Sequence, residues 1–293
     1  MNHSPCIERR KLVGLRPTKG PLPLSTSKQA LKAGEGRPFV DCAIQKSCLR
    51  AFVQYGLQVA CFLAIIKAFQ HESTRAHVKI LVLASQKGGA GKTTLAAHIA
   101  VAAELAGAGP AVLIDTDPQG SLSAWWNSRA VDTPALSAAK LAELRAKLEA
   151  LAEAGFKLAV IDTPPAITEA IRDVVKLADL VLIPTRPSPH DLRAVGSTVD
   201  IAQETARPFA FAVTQAKSNA RLTVQAVAAL SAHGAVAPAI VHDRVDYAAS
   251  MVDGRTVGEA DAKSRSADEI NQLLAFVHER MNVKQQTKKK ETV

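Results

Sequence analysis

From Val78 onward, short apolar runs alternate along the chain with longer, Ala-rich stretches that carry charged residues at intervals. Uninterrupted apolar runs are typical of strands buried on both faces, and the stretches between them are long enough for helices. The pattern predicts strands at 79–85, 111–116, 157–162, 180–184, 208–214 and 236–242. It predicts helices at 92–107, 135–154, 167–177, 190–206, 221–233 and 266–281. This alternation indicates an α/β fold with a doubly wound, mostly parallel sheet flanked by helices.

The chain before Val78 has a different texture. Up to about residue 40 it is punctuated by Pro and Gly and has no apolar period, which is typical of unstructured chain. The uncharged stretch at 51–66 is shorter than the roughly 20 residues needed to span a bilayer, so we interpret it as a buried or interfacial helix. We therefore divide the chain into a poorly structured extension at 1–77, one domain at 78–283 and a lysine-rich tail at 284–293.

The net charge of +9 is concentrated before the domain. Residues 1–77 hold 12 Lys and Arg against 4 Asp and Glu, whereas residues 78–293 hold 24 against 23. Any DNA binding by the domain therefore requires a local basic patch rather than a global field. The four cysteines, at positions 6, 42, 48 and 61, form no C-x-x-C pair, so neither a zinc site nor a disulfide framework is indicated, and a reducing cytoplasm fits.

A glycine-rich segment, QKGGAGKTT at 86–94, follows the first predicted strand and opens the first predicted helix. This is the context of a phosphate loop, whose backbone N–H groups bind phosphate oxygens. Lys92 would neutralise the β- and γ-phosphates of a nucleotide, and the Thr93 hydroxyl would bind Mg²⁺. Gln86 stands where the standard pattern has its first glycine, and a second lysine, Lys87, follows it. The predicted nucleotide-binding residues are Gly88, Gly89, Ala90, Gly91, Lys92, Thr93 and Thr94, together with Thr214 at the end of the fifth predicted strand.

The variant K-G-G-x-G-K-T-T resembles the deviant Walker A motif of the ParA/MinD family of ATPases, and the resemblance continues for about 200 residues. It implies a phosphate-loop NTPase that takes ATP and Mg²⁺. In that family the extra lysine reaches across a dimer interface to the partner's phosphates. By resemblance, Lys87 has this role and acts in catalysis with Lys92.

Three carboxylates at predicted strand ends match further family motifs. Asp115 and Asp117 lie in AVLIDTDPQG, and Asp162 lies in LAVIDTPP. The resemblance implies that Asp117 positions the attacking water, that Asp115 lies near the metal and that Asp162 holds Mg²⁺ through water. The alternative for any single aspartate at such a place is a helix cap.

Longer stretches resemble the short plasmid partition subgroup, which is similar to ParF. They are DTDPQGSLSAWW, ADLVLIPTRPSPHDLRAVGS and DRVDYAASMVDGRTVGEAD. The resemblance implies ATP-dependent segregation of plasmid or chromosomal DNA by an ATP-bound homodimer that binds DNA non-specifically. Weak hydrolysis would be stimulated by a centromere-binding partner, either ParB-like or of the ribbon–helix–helix type. Such a protein would associate with the nucleoid in the cytoplasm. Three prolines in the second of these stretches are Pro184, Pro187 and Pro189. They either contribute to the dimer interface or stiffen a strand-to-helix connection.

Partition ATPases bind DNA through basic residues that dimerisation brings together. The candidates here are Arg221, Arg244, Lys263 and Arg265. The alternative for each is a solvated surface charge. A MinD-like ATPase that cycles on a membrane is the second functional hypothesis, and a non-enzymatic, nucleotide-dependent scaffold is the third. Apolar residues at helical spacing near the C-terminus favour core packing over membrane insertion, so no membrane partner is expected.

The beginning of the domain raises a separate hypothesis. Relatives in the short subgroup begin with Met immediately before the first strand, and Val78 stands at that place. A bacterial GTG start codon appears as valine when translation is read through from upstream. We expect that Val78 is the true start, with a genuine functional extension as the alternative.

Overall fold

The computed structural model describes residues 77–290 apart from 167 and 219, with side chains up to residue 282. The predictions for the N-terminal extension, including the helix at 51–66, lie outside the described residues. Within the part of the chain that is described, none of the helices combines the length and apolar character needed to cross a bilayer.

The centre of the described fold is a seven-stranded sheet in which every pairing is parallel. Its strands are β1 (Lys79–Leu83), β2 (Ala111–Asp115), β3 (Ala135–Ala138), β4 (Leu158–Asp162), β5 (Leu180–Thr185), β6 (Phe209–Val213) and β7 (Ala235–Val236). Their spatial order is β3-β2-β4-β1-β5-β6-β7. Strands β2, β3 and β4 lie on one side of β1, and strands β5, β6 and β7 lie on the other. The predicted doubly wound parallel fold is therefore confirmed.

Helices connect the strands. They are α1 (Lys92–Leu105), α2 (Ser121–Asn127), α3 (Leu144–Glu153), α4 (Glu169–Leu177), α5 (Pro189–Glu204), α6 (Arg221–Ser231), α7 (Val245–Met251), α8 (Val257–Ala260) and α9 (Arg265–Lys290). A single 3₁₀ turn, Leu141–Glu143, precedes α3. Parallel strands require crossover connections of this kind, because a tight hairpin can join only antiparallel strands.

The sheet separates two hydrophobic layers, and β1 contributes to both. Leu81 and Leu83 point into the layer formed with α1, α2, α7, α8 and α9. Ile80 and Val82 point into the layer formed with α3, α4, α5 and α6. Successive side chains of a strand alternate between faces, so a strand covered on both faces must be apolar throughout. This explains why the buried strands were visible as continuous apolar runs.

Helix α1 is buried on nearly all sides, because the sheet covers one face and α9 covers another. The apolar stripe of α9 is core, as the sequence predicts. Its residues Ile270, Leu273, Leu274, Val277 and Met281 are each at most 4% exposed.

The sequence-based elements are wrong at both edges of the sheet. Residues 135–138, predicted as the start of a helix, form edge strand β3, and the helix begins only at Leu144. The strand predicted at 236–242 is reduced to β7, followed by a single bridge between Ala216 and His242. An edge strand pairs on one side only, so its pattern carries a weaker signal than that of a central strand. Helices α7 and α8 have no counterpart in the prediction, and α9 continues to Lys290.

Candidate nucleotide site

The phosphate loop lies between β1 and α1, at the position where the strand order reverses around β1. Gly89 and Gly91 have φ of 72° and 93°, values that L side chains rarely adopt. Gly91 is the N-cap residue of α1, so the backbone enters the helix with its N–H groups pointing into the loop. Glycines at these two places therefore give the loop the shape of an anion site.

Two bonds from the end of β6 hold the carbonyl groups of this loop. The Thr214 hydroxyl donates to the Ala90 carbonyl at 2.9 Å, and Gln215 Nε2 donates to the Gly89 carbonyl at 2.7 Å. Thr214, predicted to bind the nucleotide, lies at the loop, and its hydroxyl bonds to the loop backbone. Because these side chains bind the loop carbonyls, they leave the N–H groups of the loop available to a ligand.

The side chain of Lys92 folds back into the phosphate loop. Its Nζ donates to the carbonyls of Ser85 and Lys87, each at 3.3 Å, and the residue is 7% exposed. Burial lowers the pKa of its ammonium, while the carboxylates of Asp162 and Asp117 oppose this shift. The ammonium therefore lies inside the loop, next to the anion site that the loop forms.

The first turn of α1 contacts the end of β4 through Thr93 and Asp162. Thr93 Oγ1 donates to Asp162 Oδ2 at 2.6 Å, while the buried Oδ1 has no hydrogen-bond partner. Burial, together with the negative charges of Asp115 and Asp117, raises the pKa of Asp162 to about 7, against the opposing effects of the Thr93 hydrogen bond and Lys92. An unpartnered buried carboxylate oxygen beside a hydroxyl fits a divalent cation, which would relieve the cost of burying the charge.

The described residues contain no group of three or more His, Cys, Asp or Glu side chains that could hold a metal ion by themselves. Mg²⁺ usually binds to one or two protein oxygens and completes its shell with water and substrate phosphate. Thr93 and Asp162 supply such a partial set, so the residues present fit Mg²⁺ as a companion of a bound nucleotide.

Asp115 and Asp117 both lie beside this site but have different surroundings. Asp115 Oδ2 accepts from the amide and hydroxyl of Ser123, at 2.8 and 2.9 Å, and its Oδ1 accepts from the Asp117 amide. These bonds tie β2 to the first turn of α2, which is the capping alternative for a strand-end aspartate. Asp117 makes a local turn in which Oδ1 accepts from the Gln119 amide at 2.9 Å. Its other oxygen has no such partner among the described residues, so Asp117 is the freer of the two carboxylates.

Lys87 is half-buried at the start of the loop. Its amide donates to the Ser85 hydroxyl oxygen at 3.3 Å, but its ammonium has no hydrogen-bond or ion-pair partner within the described part of the chain. The neighbouring Gln86 is fixed, because its Oε1 accepts from the Ser197 hydroxyl of α5 at 2.8 Å. The loop thus presents one lysine turned inward and one without a partner.

A cavity of about 210 Å³ opens beside the helix end of the loop. Gly91, Thr94 and Leu95 form one wall, and the segment from Val241 to Met251 contributes most of the other. Sequence reasoning missed this second wall because α7 was not predicted, although most of the wall lies in the stretch DRVDYAASMVDGRTVGEAD that resembles the partition subgroup. The cavity lies where a base could follow phosphates bound on the loop.

Glu269 of α9 organises the far wall of this cavity. Its Oε1 accepts from His242 Nδ1 at 2.7 Å and from Arg244 at 2.8 Å, while Oε2 accepts from the Tyr247 hydroxyl at 2.9 Å. These bonds hold the pKa of Glu269 below its usual range against the opposing effect of burial. Arg244 is therefore held at the cavity by a carboxylate.

The four basic residues predicted to contact DNA lie in two places. Lys263 and Arg265 are exposed where α9 begins, and Arg244 is joined to the next turn of α9 through Glu269. Arg221 is exposed at the first residue of α6. Among the described residues, no hydrogen bond or ion pair connects Arg221 with the elements that carry the other three.

Comparison with known proteins agrees with this site. Residues 81–293 match the model of the CobQ/CobB/MinD/ParA nucleotide binding domain. This match covers more than half of the chain and includes every residue of the phosphate loop.

Curated relatives fall into two kinds. The chain is 41% identical to "Maintenance of carboxysome distribution protein A" of Gloeobacter kilaueensis over 123 residues, which are 41% of this chain and about half (55%) of that protein. The protein of the same name from Halothiobacillus neapolitanus is 32% identical over 66% of this chain and 94% of its own length. The chromosome-partitioning ATPase Soj of Thermus thermophilus is 29% identical over 71% of this chain and 98% of its own length.

Among solved structures, an ATP complex of an McdA variant from Cyanothece is similar to this chain, with a TM-score of 0.59 and 21% identity. The match covers 71% of this chain and 97% of that one, and at this identity it supports the fold alone. The matched family model and a phosphate loop that carries two lysines show that the chain belongs to the CobQ/CobB/MinD/ParA nucleotide-binding family and is an ATPase of the ParA/MinD type.

Proposed function

We propose that this protein segregates DNA by an ATP-driven cycle, in which an ATP-bound homodimer binds DNA non-specifically and leaves it after hydrolysis. The observation that carries the proposal is the pair of lysines in the phosphate loop. Lys92 is directed into the loop by two backbone carbonyls, while the Lys87 ammonium has no partner within its own described chain. The second lysine is therefore available for a group outside the subunit.

In the proposed cycle the phosphates of ATP bind to the N–H groups of residues 88–94, and the base enters the cavity between Leu95 and Tyr247. Mg²⁺ would be held by Thr93 and Asp162 and would neutralise charge on the phosphates. Asp117 orients the attacking water through its free oxygen. A carboxylate that only orients water is a weak activator, so slow intrinsic turnover is expected, with acceleration by a partner.

Dimerisation is proposed to place Lys87 against the phosphates of the partner subunit. An ammonium left unpaired beside an anion-binding loop gains most when a second phosphate group approaches it in a site that excludes water. Nucleotide would then form part of the contact surface, and hydrolysis would weaken that surface.

For DNA we propose the exposed residues Lys263, Arg265 and Arg221. Lys263 and Arg265 lie two residues apart at the N-terminal end of α9, where the helix dipole adds to the positive potential. Contacts of this kind are made to phosphates, so binding should fall with salt and show little sequence preference. We leave Arg244 out of this surface, because Glu269 already binds its guanidinium at the cavity wall.

The cargo is proposed to be a plasmid or chromosome, recruited through a centromere-binding partner that is ParB-like or of the ribbon–helix–helix type. Similarity to Soj supports this cargo. A second candidate is a protein compartment, because the two relatives with at least 30% identity cited above carry names that refer to carboxysome distribution. Both candidates use the same DNA-bound ATPase and differ in the partner that stimulates it.

Sedimentation with DNA and with anionic liposomes tests the proposal. Wild-type protein and Asp117→Ala are each mixed with DNA, and separately with liposomes, in the presence of ATP, ADP or no nucleotide. We expect sedimentation with DNA that requires ATP, and a larger DNA-bound fraction for Asp117→Ala because it cannot leave by hydrolysis. Binding to liposomes without DNA would favour the MinD-like membrane cycle, and rapid turnover by Asp117→Ala would remove that residue from the mechanism.

A further inference from the structure

Arg186 is a third cation at the phosphate loop, and it lies in the stretch TRPSPHD, of which only the prolines were given a role by the resemblance. It follows directly after β5, whose last residue is buried, and its side chain is 37% exposed. A Cβ atom built on Gly89 would lie 4.0 Å from its Nη1. The guanidinium is therefore beside the middle of the loop, although it comes from a different strand.

A buried carboxylate fixes the orientation of this arginine. Arg186 Nε donates to Asp191 Oδ1 at 3.1 Å, and Asp191 is only 4% exposed. The second oxygen of Asp191 accepts from the Ser188 hydroxyl, whose oxygen in turn caps α5 by accepting from the Asp191 amide. Asp191 thus has both oxygens bound and lies in the first turn of a helix, where a negative charge is favoured.

The remaining donors of Arg186 have no hydrogen-bond partner among the described residues. Asp191 binds Nε alone, so the two terminal nitrogens stay free, and a guanidinium presents its donors in a fixed fork suited to phosphate. Arg186, Lys87 and Lys92 also bring three positive charges to one loop. A phosphate bound at this loop would be attracted by all three.

The position of Arg186 along the loop indicates which phosphate it would contact. The cavity that fits a base is lined by the helix end of the loop, from Gly91 to Leu95. Neither Gly89 nor Arg186 lines that cavity. A nucleotide laid along the loop from the cavity therefore reaches Arg186 with the phosphate most distant from its base.

We propose that Arg186 binds the terminal phosphate of a nucleoside triphosphate in its own subunit and distinguishes it from a diphosphate. Asp191 is the positioning residue that holds the guanidinium over Gly89. This inference rests on the proposed nucleotide binding and deepens it, because it assigns a residue to the recognition of the triphosphate state.

The test compares affinities for a non-hydrolysable ATP analogue and for ADP by calorimetry in the presence of Mg²⁺. Arg186→Gln should weaken binding of the analogue about tenfold, as loss of one charge-assisted contact does, and change ADP binding less than twofold. Equal weakening of both nucleotides, or of neither, would overturn the role of Arg186. If wild-type protein bound neither nucleotide, the proposed function itself would fail, which is a different result.

Three further variants separate recognition from folding. Arg186→Gln leaves the buried Asp191 without its cation, so the double variant Arg186→Gln with Asp191→Asn removes the charge from both and should show the same tenfold selectivity loss. Arg186→Lys keeps a cation and should recover part of the preference for the triphosphate. Arg193→Ala removes an exposed arginine of α5, the helix that carries Asp191. The preference of this variant for the triphosphate should equal that of wild type. Selectivity lost in Arg193→Ala as well, or a double variant with wild-type selectivity, would contradict the proposal.

Discussion

The hydroxyl of Thr93 donates a 2.6 Å hydrogen bond to Asp162 Oδ2 and so joins the first turn of α1 to the end of β4. The other oxygen of Asp162 is buried without a partner. The contact brings together two residues that lie far apart in sequence, and it leaves one acceptor open on the side of the phosphate loop. The ATPase site is thus built around an oxygen that the protein alone does not satisfy.

This arrangement predicts that Asp162 makes nucleotide binding depend on Mg²⁺. In wild-type protein, chelating the metal should weaken binding of a triphosphate analogue tenfold or more, which is about 1.4 kcal/mol or greater. In Asp162→Asn the affinity should already be low and should respond little to the chelator, because a neutral amide oxygen attracts Mg²⁺ less strongly than a carboxylate. Nucleotide titration with and without the chelator measures this.

Asp173→Asn provides the control for the metal prediction, since Asp173 is an exposed carboxylate on α4. Its response to the chelator should equal that of wild type. An Asp162→Asn variant that still gained affinity from Mg²⁺ to the wild-type extent would show that the metal is held elsewhere.

The proposed DNA surface predicts a change in salt dependence. Replacing Lys263 and Arg265 together by Ala should reduce the slope of log affinity against log salt by about 1.8, since each lost phosphate contact accounts for about 0.9. Nucleotide affinity should not change, because neither residue lines the site. The measurement is DNA binding by the ATP-bound protein at several salt concentrations.

A double variant of Arg145 and Lys147, which are exposed on α3, removes the same charge from another part of the surface. It should retain the wild-type slope. If both double variants lowered the slope equally, the effect would belong to net charge and the surface at the start of α9 would have no special role.

The close approach of position 254 to the backbone that follows α2 requires a glycine there. A Cβ atom there would lie 2.5 Å from the Arg129 amide nitrogen, and its φ is 76°. Gly254→Ala should therefore lower the free energy of unfolding by about 3 kcal/mol, through overpacking and the left-handed backbone together. Gly107→Ala has a similar φ of 70° but open space around it, so it should cost only about 1 kcal/mol.

Denaturant unfolding of the two glycine variants measures this difference directly. The comparison isolates the steric contribution, because the backbone conformations match. Equal losses of stability in the two variants would mean that the chain near Arg129 can move away.

The buried histidine of α1 predicts a fall in stability in mild acid. His98 is 1% exposed, its Nδ1 bonds the Thr94 carbonyl and its Nε2 has no partner. Burial lowers its pKa from 6.5 to about 4. Between these values the unfolded chain binds the proton more readily, so stability should fall by about 2 kcal/mol as pH drops from 7 to 5.

His98→Phe should remove most of this pH dependence, because the ring keeps its edge contact with Tyr247 but has no proton to bind. His233→Phe changes an exposed histidine and should leave the dependence unaltered. Unfolding curves at pH 7 and pH 5 test the pair, and an unchanged slope in His98→Phe would assign the pH dependence to other groups.

The central part of the fold was predictable from sequence for a physical reason. Strands β1, β2, β4 and β5 are covered on both faces, so their residues are apolar except at one end, and the phosphate loop between β1 and α1 has a fixed spacing of glycines and lysines. Edge strand β3 pairs only with β2, and its sequence, ALSA, contains no β-branched residue. Its strand conformation depends on that pairing, which a local pattern does not reveal.

The site shows the same division. Lys92, Thr93 and Asp162 could be assigned from motifs, since their chemistry requires fixed neighbours in sequence. The arginine at position 186 and the cluster around Glu269 could not, because their partners are set by tertiary packing. Asp115 carried a family motif, yet its hydrogen bonds to Ser123 indicate a structural task. Motifs therefore locate the candidate phosphate loop, whereas the residues that surround this loop depend on the fold.

The most direct test of the account is whether Lys87 completes the site of a partner subunit. Lys87→Ala and Lys92→Ala are each expected to be inactive alone, the first retaining nucleotide and the second losing it. ATP turnover is then measured in an equal mixture of the two variants. If Lys87 acts across the dimer, mixed dimers contain one complete site, and turnover should recover to roughly a quarter of the wild-type rate, since about half of the dimers are mixed. A mixture no more active than its separate components would contradict the account, because it would mean that both lysines serve the nucleotide of their own chain.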